Sequence, residues 1–203
     1  MPTSHTLVTV ANRALDFISE FPISTLADES PYARWVNRNF SHTVEMSLRQ
    51  QPWNFACELV TLNAAPDRPA HRWRHRYDLP PGWLRVLPPT WDGNRNGRPL
   101  NYEVKRDGLF MNEGGARPVE IVFNVQEPGQ WDPLFAELVA ARLALGMAHR
   151  FTGKNSFVEQ CRVLAQEALD AAAEINAFEG SLDPVEQHDI IRVRGGDYWG
   201  NSL

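Results

Sequence analysis

Apolar residues recur at three- and four-residue steps in the first fifty positions, which is the spacing of helices that bury one face. The first predicted helix covers about Ser4–Glu20 and ends before Pro22. The second begins with Ser30 as N-cap and Pro31 in its first turn, and it ends at Pro52. Their apolar positions are Leu7, Val10, Ala11, Ala14, Leu15 and Ile18, then Ala33, Val36, Phe40, Val44 and Leu48.

The middle of the chain contains short apolar or alternating runs separated by Pro, Gly, Asn or Asp, a pattern typical of antiparallel strands. The predicted strands are Leu59–Leu62, Trp73–Leu79, Leu84–Leu87, Tyr102–Val104, Leu109–Met111 and Val119–Val125. Asp107-Gly108 predicts a tight hairpin, because glycine accepts the positive φ that a mirror-image turn requires. Asn94–Pro99, rich in Gly, Asn and Arg, is predicted to be an exposed loop.

Helical periodicity returns at Asp132, a predicted N-cap followed by Pro133, and Gly153 is the stop signal. A fourth helix is predicted from Asn155 or Ser156 to just before Gly180. The expected buried positions are Leu134, Leu138, Ala141, Leu145 and Ala148 in the third helix, and Phe157, Cys161, Leu164, Ala168, Ala172 and Ile175 in the fourth.

This order of elements predicts an α+β fold in three parts. Residues 1–56 and 127–180 are expected to form one domain resembling a four-helix bundle. An antiparallel β insertion domain, residues 57–126, interrupts it, and residues 181–203 follow as an extended C-terminal tail.

The net charge of −5 over 203 residues conceals two poles of opposite sign. Nine basic residues accompany three acidic ones between Arg68 and Arg106, whereas Ser156–Asp189 carries eight carboxylates and Arg162 as its one basic residue. Eighteen of the twenty basic residues are arginine, which reflects either codon composition or a preference for bidentate pairing at protein contacts. The net charge alone does not indicate a nucleic-acid-binding protein.

The same composition predicts that no membrane is involved. No apolar run reaches the roughly 18 residues that a membrane-spanning helix needs, and the first residues lack the features of a secretory signal. Cys57 and Cys161 lie too far apart in sequence to form a metal or redox motif.

The chain contains none of the motifs HExxH, GxxxxGK(S/T), GxSxG or CxxC. His71 and His75 would lie about 13 Å apart on the predicted strand, which is too far for one metal ion. The acidic pair Asp28-Glu29 is assigned to the positive end of the second helix dipole. These observations identify no catalytic residue, metal site or cofactor site. They do not exclude an enzyme, because catalytic groups often meet only in space, so a small enzyme with a spatially assembled site stays open as a third alternative.

Arg72, Arg74 and Arg76 form a candidate basic contact face, because alternate residues of a strand share one side. The histidine and aromatic side chains between them would share the other side. Such a row is suited to contact phosphates while the rings stack on bases, to keep a sheet edge from pairing, or to dock on an acidic surface of another subunit. The last two are favoured because no nucleic-acid-binding motif accompanies the row.

Seven tryptophans are expected at core and junction positions around the strands, and Trp and Arg together favour large contact surfaces. Trp199 has no core position to fill, so it is either an anchor for a partner or part of an unstructured terminus. The candidate docking residues of the tail are Ile190, Ile191, Val193, Tyr198 and Trp199.

Three segments carry a family resemblance. They are ALDFISEFPISTLADESPYARWVNRNF at 14–40, LRQQPWNFA at 48–56 and RHRYDLPPGWLRVLP at 74–88, and the paired helices of 132–178 complete the pattern. In this order and spacing they resemble the tail tubular protein A family, the head-to-tail adaptors of short-tailed bacteriophages. The resemblance covers about residues 5–180.

The resemblance implies a structural virion protein with no catalytic residues, and hence a protein that is not an enzyme and needs no cofactor. Such adaptors form a ring, typically of twelve copies, between the portal protein and the tail nozzle protein, and DNA passes through the lumen without sequence-specific binding. It places the chain in the tail neck of the virion, and in the host cytoplasm during assembly. Docking of the tail on the portal is a further hypothesis. The alternative is a nucleic-acid-binding module acting through the arginine-rich insertion.

Overall fold

The computed structural model of the chain describes residues 5–67, 69, 72–106 and 108–179. The fold is mixed α+β, with four helices and two small antiparallel sheets in this part of the chain. The helices are α1 (Leu7–Phe17), α2 (Pro31–Gln50), α3 (Pro133–Met147) and α4 (Asn155–Glu179). The strands are β1 (Cys57–Asn63), β2 (His75–Tyr77), β3 (Trp83–Val86), β4 (Tyr102–Lys105), β5 (Gly108–Met111) and β6 (Ala116–Phe123).

The predicted capping residues of α2 and α3 are confirmed. The Ser30 hydroxyl accepts a hydrogen bond from the Tyr32 N–H at 3.2 Å, and Asp132 Oδ1 accepts one from the Leu134 N–H at 2.8 Å. Gly153 adopts φ 61° after a short π-helical turn that continues α3, and α4 begins at Asn155. Local side-chain chemistry therefore fixes these helix boundaries.

Helix α1 is shorter than predicted, because a capping box and a left-handed residue limit it. It begins at Leu7, after Thr6 and Thr9 exchange hydrogen bonds between their side chains and backbone N–H groups at 3.1 and 2.8 Å. It ends at Phe17, and Ser19 has φ 58°. Within the described residues, the predicted range Ser4–Glu20 therefore extends beyond the helix at both ends.

Helix α3 is buried on all sides rather than on one face, which corrects the prediction for this element. It packs against α1, α2 and α4. Its two charged side chains are both partnered: Glu137 binds Arg13 at 2.6 Å, and Arg142 donates to the Ser47 hydroxyl at 2.9 Å and to Gln50. An apolar helix with small residues all round is suited to a central position.

The predicted stripe of α4 is correct at its middle and wrong at its end. Cys161, Ala168 and Ala172 are buried, whereas Ile175 is 45% exposed. Ile175 lies near the last turn of the helix, where it borders a shallow depression together with Trp53 and Asp132.

The β insertion forms two three-stranded antiparallel sheets. Their strand orders are β1-β6-β3 and β2-β5-β4. The two sheets share one apolar core, to which both contribute. Its buried members are Leu62, Tyr77, Val86, Leu100, Leu109, Met111, Val119 and Ile121. Strand β2 covers only three residues of the predicted Trp73–Leu79. Of the arginine-rich segment, only Arg76 therefore belongs to the sheet.

The predicted hairpin joins β4 to β5, with Lys105 paired to Gly108. Gly108 has φ 144°, and a Cβ at this position would lie 2.5 Å from the backbone oxygen of Tyr77. Asp107, the other residue of the predicted turn, lies outside the described residues. Both the backbone conformation and the close approach of β2 therefore require glycine.

Gly108→Ala is expected to lower the free energy of unfolding by about 1–3 kcal/mol, because the methyl group adds a backbone clash to the strain at positive φ. Chemical denaturation measures the change. Gly82→Ala is the matched control, since Gly82 has φ 80° but no atom within 4 Å of the added Cβ. Equal losses in the two variants would contradict the role of the Tyr77 contact.

Aromatic side chains join the helices to the insertion where the chain enters and leaves it. Trp53 and Trp131 both pack edge-to-face on Phe135, with ring centroids 4.9 and 5.1 Å apart. The indole of Trp53 donates to the Ser47 carbonyl at 2.9 Å, and that of Trp131 to the Val125 carbonyl at 2.8 Å. Junction packing is thus confirmed for these two tryptophans. In contrast, Trp91 is 55% exposed.

Candidate interaction surfaces of the β insertion

The arginine row, Arg72, Arg74 and Arg76, is only partly a strand face. Arg72 and Arg74 precede β2 and are exposed, and Arg76 lies within β2. Arg72 is 3.7 Å from a carboxylate oxygen of Glu103, and Arg76 is 3.2 Å from one of Asp78. Two of the three cations therefore have a carboxylate neighbour within the insertion. Both pairs are largely exposed to solvent and are weak, so the row keeps its cations available for a contact with another protein.

The aromatic residues that alternate with the row do not form a stacking platform. Trp73 is 7% exposed and Tyr77 is fully buried. Tyr77 donates its hydroxyl hydrogen to the Glu113 carbonyl at 2.6 Å. His71 lies outside the described residues. Burial of these two rings removes the base-stacking part of the nucleic-acid hypothesis at this strand.

Glu103 fixes the position of Trp73, which lies between Arg72 and Arg74 of the arginine row. Its Oε2 accepts a hydrogen bond from the Trp73 indole at 2.6 Å and lies 3.3 Å from the Lys105 ammonium. The Trp73 hydrogen bond, followed by Lys105 and Arg72, lowers the pKa of Glu103 below its ordinary value. Glu103 is thus ionised at neutral pH and structurally engaged.

A second basic surface lies between the two sheets; three of its four cations belong to the basic stretch Arg68–Arg106, but the sequence did not predict that they meet. We call it the edge groove: a depression of about 620 Å³ lined by all of β3 and β4, together with Arg49 and Arg106. Strands β3 and β4 are each at the edge of their sheet. The groove combines four cationic side chains with Trp83 and Tyr102, and Glu103 is its one carboxylate. Its cations are Arg49, Arg85, Lys105 and Arg106.

A smaller cavity, the proline pocket, lies where the helices meet the insertion. It has a volume of about 230 Å³. Its lining includes Pro52, Pro88, Pro89 and Pro118, with Arg85 and Arg95 among the polar groups. Arg95 forms a bidentate pair with Glu120 at 2.8 and 2.5 Å, so its guanidinium is held in place. Arg85 lines both this pocket and the edge groove, so the two depressions are adjacent.

Cys57 lies beside the proline pocket but is not an activated nucleophile. Burial raises the pKa of its thiol to about 11, with a further contribution from Glu120 that Arg95 and Arg85 only partly oppose. A catalytic cysteine needs the opposite shift. Because the folded pKa is above the ordinary value, the associated stability is present at neutral pH and is lost as the pH rises from about 9 toward 11.

Alkylation of Cys57 at pH 8 is expected to be about a hundredfold slower than that of an ordinary thiol, because the thiolate fraction falls by about that factor. Peptide-resolved mass spectrometry after iodoacetamide treatment measures the rate. The same chain unfolded in guanidinium is the control and should react at the ordinary rate. Fast labelling of the folded chain would contradict the assignment.

Asp28, the first residue of the acidic pair ahead of α2, has a local role in addition to the predicted one at the helix dipole. Asp28 accepts hydrogen bonds from the Ser24 and Thr25 N–H groups at 2.7 and 3.1 Å and from the Thr25 hydroxyl at 2.9 Å. These bonds, that of the Thr25 N–H foremost, lower the pKa of Asp28. Asp28 therefore closes the loop between α1 and α2.

Helix α4 presents an acidic face to the outside. Five exposed residues fall on one side of the helix at 100° per residue: Glu159, Val163, Glu167, Asp170 and Glu174. Val163 is 46% exposed, so the face combines negative charge with apolar surface. These residues belong to the acidic stretch Ser156–Asp189, of which the structure describes residues 156–179.

Across the described residues, no group of three or more His, Cys, Asp or Glu side chains is placed to hold a metal ion. Within the same ranges, none of the helices has the length and apolarity needed to cross a membrane. The tail residues Ile190, Ile191, Val193, Tyr198 and Trp199 lie outside the described residues.

Comparison with known proteins gives no assignment for these surfaces. No protein-family model matches the chain, and no curated protein matches it.

Proposed function

We propose that the chain is a structural adaptor of a short-tailed bacteriophage virion. In this proposal, copies assemble into a ring, of twelve in the virion, between the portal and the tail nozzle, and DNA passes through the lumen. The protein acts by contact with itself and its neighbours, without catalysis or a cofactor. It assembles in the host cytoplasm and resides in the tail neck.

The observation that carries the proposal is the pair of unlike surfaces on one subunit. The acidic face of α4 is exposed on the helical part, and the arginine row and edge groove lie on the insertion. A ring of head-to-tail contacts requires two different, complementary faces on each copy. Electrostatic complementarity between them would fix the register of neighbouring subunits.

Exposed apolar residues on the insertion add to this support. Leu59 and Trp91 are 58% and 55% exposed, and the Arg117 guanidinium lies 4.5 Å from the centre of the Trp91 ring. Exposed Trp and Arg together are typical of binding hot spots. In the proposal, the helical part forms a bundle around α3, supplies the acidic face of the ring contact and meets the portal. The insertion supplies the basic face and extends toward the nozzle.

Electron microscopy of the purified chain tests this proposal directly, both alone and mixed with the portal protein of the same particle. Rings that form alone or on the portal are the expected result. A subunit that stays monomeric and unbound in the presence of that portal would contradict it. Deletion of residues 181–203 tests the tail separately: loss of portal binding is expected if Ile190–Trp199 dock there.

A nucleic-acid-binding module is the second candidate, and the edge groove is the observation that favours it. Its four cations and the half-buried rings of Trp83 and Tyr102 are suited to a single strand. Affinity for a 20-nucleotide single strand would then fall steeply with salt. Arg49→Ala with Arg85→Ala would abolish it, whereas the arginine-row variant Arg72→Ala/Arg74→Ala/Arg76→Ala would retain it. Salt-independent or absent binding would exclude this function.

A further inference from the structure

Phe21 projects from the loop between α1 and α2 and is 88% exposed. The backbone on either side of it is fixed. The Glu20 N–H donates to the Leu15 carbonyl at 3.1 Å, and the buried Ile23 is held through its N–H and carbonyl by the Asn12 side chain at 2.9 and 3.0 Å. The phenyl ring is therefore presented by a fixed loop, so its burial in a partner requires little further ordering of the chain.

The proline pocket has the size and lining to accept such a ring. Its volume of about 230 Å³ exceeds the roughly 150 Å³ that is enough to hold a benzene molecule. Its apolar wall consists of Pro52, Leu87, Pro88, Pro89 and Pro118. Because proline has a fixed ring and a restricted backbone, the pocket keeps its shape before anything enters it. The pocket is thus suited to a planar apolar side chain.

Phe21 and the proline pocket lie at opposite ends of α2. Glu20, next to Phe21, is hydrogen-bonded to the hydroxyl of Tyr32 in the first turn of α2, whereas Pro52 follows the last turn. A helix of 20 residues is about 30 Å long. The Phe21 ring therefore does not reach the pocket of its own subunit, and a second copy is needed to bring the two together.

The charges beside the ring and in the pocket are complementary. Arg95 in the pocket is already paired with a carboxylate. Arg85 donates to the backbone carbonyl of Arg49 at 3.4 Å, a neutral group that does not compensate its charge. A carboxylate such as that of Glu20 has about four acceptor positions, so it can accept from Arg85 as well as from its partner within the subunit. Burial of the ring supplies most of the binding free energy, and the ion pair favours one orientation.

We propose that Phe21 of one copy inserts into the proline pocket of the next copy, with Glu20 beside Arg85. The ring and the pocket are different surfaces at opposite ends of one helix, so the contact is head-to-tail and repeats from copy to copy. This inference rests on the self-assembly in the proposed function and names the apolar anchor of that contact.

Phe21→Ala tests the anchor in the full-length chain, assembled on the portal protein and followed by mass photometry over a dilution series. Loss of the buried ring is expected to weaken association between copies about tenfold to a hundredfold. Phe21→Leu should keep most of the association, because it retains an apolar side chain. Met46→Ala is the matched control, since Met46 on α2 is 55% exposed and its truncation should leave association unchanged.

Cross-linking between different chains tests where the ring goes. One chain carries Phe21→Cys and the other carries Asn94→Cys in the lining of the pocket. Both also carry Cys57→Ser, so that the natural thiol beside the pocket does not react. A short bismaleimide is expected to join the two chains through positions 21 and 94, whereas Met46→Cys mixed with Asn94→Cys should give no such product.

The outcomes separate this contact from the proposed function. If the copies assemble but Phe21→Ala leaves their association unchanged, or if positions 21 and 94 do not cross-link, the contact is overturned and the adaptor proposal stands. If the natural copies do not assemble on the portal, the proposed function is overturned and the contact with it.

Discussion

Replacing Phe135 by alanine is expected to lower the free energy of unfolding by about 3–5 kcal/mol. Phe135 is fully buried in α3, and its ring centre lies 4.9 to 5.1 Å from those of Trp53, Phe55 and Trp131. Removal of the ring leaves a cavity at the junction of the helices and the insertion. Because rigid aromatic neighbours surround it, the cavity has little freedom to collapse.

Denaturant unfolding followed by circular dichroism and tryptophan fluorescence measures the loss. Phe21→Ala is the matched control, because Phe21 is 88% exposed and the same substitution should change stability by no more than about 0.5 kcal/mol. A loss below about 1 kcal/mol for Phe135→Ala would show that the junction is not tightly packed.

The elements of the fold were predictable where local chemistry determines them. Ser30 and Asp132 each bond to an N–H two residues ahead, and Gly153 takes the left-handed conformation that stops a helix. These interactions span only a few residues, so the sequence pattern is sufficient to place them. The six strands were found for the same reason, since each is bounded by its own turn residues.

The arrangement of the elements was less predictable, because it depends on contacts between distant residues. Arg95 pairs with Glu120, and Arg142 binds Ser47, across long stretches of chain. One residue in the sequence, Gly146, could have indicated the central position of α3. Gly146 stands alone in a helix, where a Cβ would lie 2.6 Å from the Trp35 ring, and an isolated helical glycine indicates such close packing.

The candidate surfaces were likewise predictable only where they depend on residues close together in sequence. The arginine row was identifiable from its spacing, but its ion pairs with Glu103 and Asp78 were not. The edge groove escaped detection because Arg49, Arg85 and Arg106 belong to three different segments that only the packing of two sheets brings together. Three of its four cations fall within the basic stretch Arg68–Arg106, but the spacing of that stretch does not show that they converge with Arg49.

Reversing the charge on either proposed ring face is expected to abolish ring assembly, and reversing both in the same chain should restore it. The first variant is Glu167→Arg with Asp170→Arg on α4, and the second is Arg72→Glu with Arg74→Glu on the insertion. Like charges placed opposite each other cost several kcal/mol per interface, which weakens association at least a hundredfold. In the combined variant, every contact of a head-to-tail ring again joins opposite charges.

Negative-stain electron microscopy with the portal protein, together with mass photometry, reads out assembly of all three variants. Asp16→Arg with Glu29→Arg is the control, because these exposed acidic residues lie off α4 and carry the same change in charge. The restoring step distinguishes the proposal from damage to folding, since four substitutions would not repair what two had unfolded. If both double variants lose the ring and the combined variant does not regain it, the two faces do not meet. If neither double variant loses it, electrostatic pairing does not hold the ring.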